Sequence, residues 1–301
     1  MTGGRELVVA PAPPGLGARR LCEIAERYQQ TPRRALPPAC LPALARVVGS
    51  SDFLARVLRR HAHWVEHLAG DPPDPPSDAP IDPDWTSIRI AKYQGLLRIA
   101  ARDLSGRPFE ASLAELSELA DRCLRAGWRR SATECGVADE PALLALGKLG
   151  GAELNFSSDV DVLVLYHARD TREDLAKNEL VARLVQNFKR NLEVPSEDGF
   201  GYRVDLDLRP EGRSGTLANS VDAARGYYET FGAEWERQAL IRLRHIAGPS
   251  DVAQKFQRAI EPFVFRRGID PRAIQKVREM ELRIEQDGGR GNHDLGRDLK
   301  E

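Results

Sequence analysis

An α+β fold, with one small sheet set among helices, follows from three observations on the 301-residue chain. Residues 17–69 and 85–135 carry apolar side chains at helical spacing. Two apolar runs, ALLALG (142–147) and VDVLVLYH (160–167), are short, and the second is rich in Val, as a strand buried on both faces is. Helical spacing then resumes from 221 to 287.

In chain order, SDFLARVLRRHAHWVEHLAG opens with Ser51 or Asp52 as a helix cap and stops at Gly70. DPPDPPSDAPIDPD (71–84) has too many prolines for helix or sheet and is expected as an exposed loop. FEASLAELSELADRCLRAGWRRSATECG is helical up to Gly136, and LVARLVQNFKRNL makes an amphipathic helix over about 172–192. GYRVDLDLRP (201–210) alternates strictly and stops at Pro210, so it reads as a strand. Three segments result: a helical N-terminal region (1–135), an α/β core (136–220) and a helical C-terminal region (221–301).

Composition excludes several classes of function. The net charge of −1 creates no global field toward nucleic acid or an anionic membrane. No run of about 18 apolar residues exists, so a membrane span is not expected. Prolines interrupt the first residues, MTGGRELVVAPAPPG, which therefore lack a signal peptide's apolar core. Cys22, Cys40, Cys123 and Cys135 form no CxxC pair and no zinc spacing, which fits reduced thiols in the cytoplasm. His63 and His67 share a helix face, but HExxH is absent and a metal role is not expected. Trp64, Trp85, Trp128 and Trp235 are expected in the core or at domain contacts.

The chemistry concentrates in LGKLGGAELNFSSDVDVLVLY (146–166). Asp159 and Asp161 stand two residues apart at the head of a strand, so they face the same way. Asp205 and Asp207 lie in the later alternating segment. If the two strands are neighbours, three carboxylates converge, and such a set suits a hard cation, Mg²⁺ or else Mn²⁺. The turn Gly147, Lys148, Gly150 and Gly151 lets backbone N–H groups approach phosphate oxygens, and Ser158 adds a hydroxyl. Only seven of the 44 basic residues are Lys, which makes Lys148 a less automatic choice. Arg209 and Arg213, in LRPEGRSG, offer forks for phosphate. EWERQALIRLR carries Glu and Arg at helical spacing, as ion pairs or as lining of the site.

A Gly-Lys pair, ten residues, D-x-D and a later apolar-flanked Asp resemble the nucleotidyltransferase superfamily related to DNA polymerase β. GKLGG is not a Walker A loop. More narrowly, ALGKLGGAELNFSSDVDVLVLY, YRVDLDLRPEGRSGTLANS and YYETFGAEWERQALIRLRHIAG together resemble the glutamine synthetase adenylyltransferase/adenylyl-removing family over roughly residues 50–300. The form ELNFSSDVD, and a helical lead of about 145 residues, are similar to the copy that removes AMP.

The resemblance implies a polymerase-β-like domain, a small mixed sheet with helices, flanked by helical regions. It implies Asp159 and Asp161 as the metal-binding pair with Asp205 as the third carboxylate, and Asp207 as the alternative third ligand because it shares a strand face with Asp205. Gly147 and Lys148 take the place of the superfamily's Gly-Ser, and Asp207 departs from the family's more common Arg. The implied reaction is phosphorolysis of adenylylated tyrosine on glutamine synthetase, with inorganic phosphate as attacking group, an adenine nucleotide (ADP) as product and the PII signal protein as regulator. Transfer to another acceptor, and a non-catalytic module that binds nucleotide or glutamine synthetase, are the alternatives. The ending RIEQDGGRGNHDLGRDLKE lacks the family's following Gly-Gly-Ile-Arg stretch, so a truncated chain without the adding domain is expected.

Overall fold

The computed structural model describes residues 15–30, 36–68 and 80–265. Most of the Pro-rich stretch (71–79), the helical expectation over 266–287 and the charged ending lie outside the described residues. The chain forms two compact units. Among the described residues, one comprises 15–30, 36–68 and 93–112, the other 80–92 and 113–265, so the units cut across the three segments drawn from sequence.

The first unit is helical, with α1 (Leu16–Gln30), α2 (Leu41–Ser50) and α3 (Asp52–Arg60). Ser51, rather than Asp52, caps α3, its hydroxyl accepting from the Leu54 amide at 3.2 Å. Ile24, Leu44, Val47, Leu58 and Trp64 are buried in this unit. Helices α4 (Trp85–Asp103) and α5 (Phe109–Cys135) contribute residues to both units.

The second unit holds the sheet. Strands β1 (Ala142–Ala145), β2 (Val160–Tyr166), β3 (Val204–Asp205), β4 (Asn219–Ser220) and β5 (Arg244–Ala247) run in the order β3-β2-β1-β5, with β4 also on β2. β1 pairs antiparallel with β2 and β5, whereas β3 and β4 pair parallel with β2. The sheet is mixed, and the architecture is α+β. β1 is buried throughout, and β2 is buried at every position except Asp161, which is why both read as apolar runs without alternation.

Helices α8 (Val221–Thr230), α9 (Glu234–Ile241) and α10 (Ser250–Val264) supply one core with the sheet, in which Leu144, Leu163 and Leu165 join Tyr228, Leu240, Phe256 and Ile260. Helix α7 (Thr171–Glu193) starts at Asp170, whose carboxylate accepts from the Glu173 amide at 2.9 Å. Its Phe188 meets Trp128 edge-to-face at 5.0 Å. Among the described residues, no helix is long and apolar enough to cross a membrane.

Three expectations need correction. The helical pattern after 221 is interrupted by β5, because Arg244–Ala247 completes the sheet against β1. The strand expected over 201–210 shrinks to Val204–Asp205, and turns begin at once after it. Trp64 and Trp128 are buried, but Trp235 is exposed.

Candidate active site

β1 ends at Ala145, and the chain turns at Gly147 into the four-residue helix α6 (Gly147–Gly150). Gly147 has φ +54°, and a Cβ there would lie 2.3 Å from Asp161 Oδ2. Only glycine permits both the left-handed backbone and the close carboxylate. Gly150 is also obligatory, since a Cβ would meet the Arg242 carbonyl at 2.1 Å. The Gly150 and Gly151 amides donate to the Leu146 and Gly147 carbonyls at 2.8 and 3.2 Å. Those two N–H groups close the turn. Lys148 is exposed on α6, and its charge acts on Asp161.

The parallel register sets Val160 against Val204 and Asp161 against Asp205. Asp159 stands one residue before the ladder, beside the half-buried Ser158. Burial pushes the Asp161 carboxyl up to about 6, and repulsion from Asp205 and Asp159 adds to the rise against the opposing pull of Lys148. The backbone thus brings the three expected carboxylates to adjacent strand heads.

Their side chains do not converge. Arg203 Nε donates to Asp159 Oδ1, and Arg203 Nη2 donates to the Ser157 carbonyl at 3.0 Å. Asp205 Oδ1 accepts from the Asp207 amide at 2.7 Å. Among the described residues, no three His, Cys, Asp or Glu side chains are grouped to hold a metal ion. The donor set nevertheless fits a hard divalent cation: all are carboxylates, and the crowding that raises Asp161 is relieved by positive charge. Asp207 does not share a strand face with Asp205, because the chain has already turned. Its carboxylate accepts from Arg213 Nε at 2.7 Å, and Arg213 is otherwise exposed.

Arg209 is buried and spent on backbone. Its guanidinium donates to the carbonyls of Leu206 (2.8 Å), Thr216 (3.0 Å), Gly215 (3.1 Å) and Arg213 (3.2 Å). These contacts hold the 206–216 loop together and occupy the fork that the sequence offers to phosphate. The Arg-rich segment also braces. Arg242 pairs with Glu153 at 2.6 Å, and Arg244 donates to the Leu149 carbonyl at 2.7 Å and to Asp121 at 3.1 Å. Buried Glu236 accepts from Tyr227 at 2.9 Å and from the Ala233 amide at 2.8 Å.

A cleft of about 350 Å³ opens beside the carboxylates, lined among others by Asp159, Asp205, Asp207, Arg203 and Lys189. Sequence reasoning missed Arg203, Lys189 and Lys92. Lys189 donates to Glu193 at 2.6 Å and to the Val204 carbonyl, an i,i+4 pair visible in the sequence but indistinguishable there from a solvated one. Lys92 is buried under the chain that leads into β3. Its amine donates to the Gly201 and Phe200 carbonyls and lies 4.2 and 4.8 Å from the Phe200 and Tyr202 ring centres. Burial pushes the amine down to about 7.

A sequence model of the family described as glutamate-ammonia ligase adenylyltransferase matches residues 41–259. The chain belongs to this family. Among relatives named bifunctional glutamine synthetase adenylyltransferase/adenylyl-removing enzyme, one from Thioalkalivibrio sulfidiphilus is 38% identical over 71% of this chain and 23% of its own length. One from Xanthomonas oryzae pv. oryzae is 36% identical over 85% of this chain and 29% of its own. One from Stenotrophomonas maltophilia is 34% identical over 98% of this chain and 34% of its own. The chain therefore spans between about a quarter and a third of the length of these family relatives.

Proposed function

We propose that the chain is a metal-dependent nucleotidyltransferase region that removes AMP from an adenylylated tyrosine of glutamine synthetase by phosphorolysis. The observation that carries the reading is the register of β2 and β3, which sets Asp161 against Asp205 with Asp159 at the strand head and Gly147 folded over Asp161. This arrangement supports a polymerase-β-like site. The relatives' names supply the acceptor, and the motif ELNFSSDVD supports the removing half.

Asp159, Asp161 and Asp205 would hold Mg²⁺, with Mn²⁺ as the substitute. When bound, the ion neutralises phosphoryl oxygens and polarises the phosphorus. The protein's own groups position the reactants, which is most of what phosphoryl transfer asks of an enzyme. Lys148 stands beside Asp161 and offers an ammonium to a phosphate oxygen. Arg213, exposed at the loop edge, offers a guanidinium to the incoming phosphate. Arg209 fixes that loop from within, and Lys92 fixes the chain entering β3. An oxygen of inorganic phosphate bonds to the α-phosphorus, the bond to the tyrosine oxygen breaks, and the phenolate takes up a proton, giving ADP and free tyrosine. Regulation by the PII signal protein is part of the same proposal and rests on the family resemblance.

The test is ADP release from adenylylated glutamine synthetase in the presence of phosphate and Mg²⁺. Phosphate-dependent ADP that disappears in Asp159→Asn/Asp161→Asn is the expected result. A folded, metal-binding chain that releases no ADP overturns the removing activity for this chain.

A further inference from the structure

Three cations line the cleft, and two of them are committed elsewhere. Arg209 is buried and saturated by loop carbonyls. Lys189 is held by Glu193 and the Val204 carbonyl. Arg203 alone of the three spends its fork on one of the carboxylates placed at the metal site.

The pairing is built into the sheet. The Val160 amide donates to the Arg203 carbonyl at 2.9 Å, so Arg203 is pinned where β3 begins. Asp159 and Arg203 each lie one residue before the Val160–Val204 pair, which makes them cross-strand neighbours. The fork closes on Asp159 Oδ1 with Nε and on the Ser157 carbonyl with Nη2. Both side chains are 49% exposed, so the pair can open without unpacking the core.

The geometry points to Arg203 as a displaceable counter-cation of Asp159, a positioning residue that neutralises this carboxylate until a divalent cation takes it. The inference rests on the metal reading given above. It explains why Asp159 is paired with Arg203 although Asp161 and Asp205 stand nearby. Two like charges at the head of one strand repel, and turning one of them onto Arg203 lowers that cost. A cation that recruits Asp159 must then break the Arg203 contact, so Arg203 sets a threshold on occupancy. The displaced guanidinium stays at the rim of the cleft, because its backbone is paired in the sheet.

The test is Mn²⁺ titration of the full 301-residue chain, followed by the loss of the free-ion paramagnetic resonance signal, in wild type, Arg203→Gln, Arg203→Lys and Asp161→Asn. A half-exposed ion pair contributes up to about 1 kcal/mol, so Arg203→Gln is expected to bind Mn²⁺ up to about fivefold more tightly. Arg203→Lys, which keeps the charge but not the fork, moves in the same direction by a smaller factor. It decides the matter if the Gln variant does not fold. A purely structural role for Arg203 would weaken binding on mutation and never strengthen it. Unchanged or weaker Mn²⁺ binding in both Arg203 variants, with loss in Asp161→Asn, overturns the inference and leaves the metal reading standing. No Mn²⁺ binding by any of the four proteins overturns both.

Discussion

Asp161→Asn separates the electrostatic cost of the site from its use. The Asp161 carboxyl rises from its ordinary 3.8 to about 6, chiefly through burial, then through Asp205 and Asp159. A rise of that size corresponds to an upper bound of roughly 3 kcal/mol. The side chain is only half-buried, and solvent screening reduces this to about 1–2 kcal/mol. The sign follows from proton linkage: between about pH 4 and about pH 6 the folded chain keeps a proton that the unfolded chain has lost. The native state therefore loses stability as pH rises through that window, and the loss is complete above about pH 6. Asn is isosteric, keeps the contact under Gly147 and never ionises. In EDTA the variant should melt together with wild type near pH 4 and about 2–8 °C higher near pH 8, for a unit of this size. Differential scanning calorimetry at the two pH values reads this directly. Equal melting temperatures at both pH values, or a less stable variant near pH 8, would refute the account of Asp161 as an uncompensated charge.

Gly147→Ala forces a left-handed backbone costing about 1–2 kcal/mol and drives a methyl into Asp161, so urea unfolding should show a loss of at least about 2 kcal/mol together with loss of activity. Arg209→Lys keeps the charge but cannot reach four carbonyls; the 206–216 loop should become rapidly cleaved in limited proteolysis, whereas a phosphate-binding Arg209 would leave the loop protected. Lys92→Met leaves the Gly201 and Phe200 carbonyls without the amine and should cost about 1–3 kcal/mol. The buried amine titrates near 7 when folded and near its ordinary 10.5 when unfolded, so wild type gains stability as pH rises between these values. The gap between wild type and Lys92→Met, followed by denaturation across that range, should therefore widen with pH.

What the sequence displayed was local. The Val-rich run became β2, the amphipathic stretch over 172–192 became α7 (Thr171–Glu193), and a helix ended before Gly136 as its pattern required. β5 was hidden because RHIA follows a Glu/Arg helix without a break. Its strand character comes from Leu143 and Leu144 on β1, about a hundred residues earlier, and no local period reports such a partner. GYRVDLDLRP alternates as a strand should, yet only two residues pair. The Asp207 amide turns back to Asp205, and Arg209 gathers the following carbonyls into a loop. Each of these is a side chain capturing backbone, a competition that alternation does not record. The same limit explains Arg209. An arginine beside carboxylates reads as a phosphate fork, and only burial reveals that its donors are already used.

The three carboxylates are unequal, and the inequality orders them energetically. Asp159 has Arg203, and Asp205 accepts the Asp207 amide within a turn whose own carboxylate is balanced by Arg213. Asp161 feels both acids with Lys148 as its counter-charge, and its carboxyl is pushed up. A divalent cation gains most where negative charge is least compensated, since binding there both attracts and relieves repulsion. At Asp159 the same contact is offset by the ion pair it must break, by up to about 1 kcal/mol. Asp161→Asn should accordingly weaken Mn²⁺ binding about fivefold more than Asp159→Asn does. In the background of Arg203→Gln that difference should shrink, because the offset is gone. Equal losses in the wild-type background would mean that the cation sees two equivalent ligands, and the ordering drawn from Arg203 and Lys148 would fall.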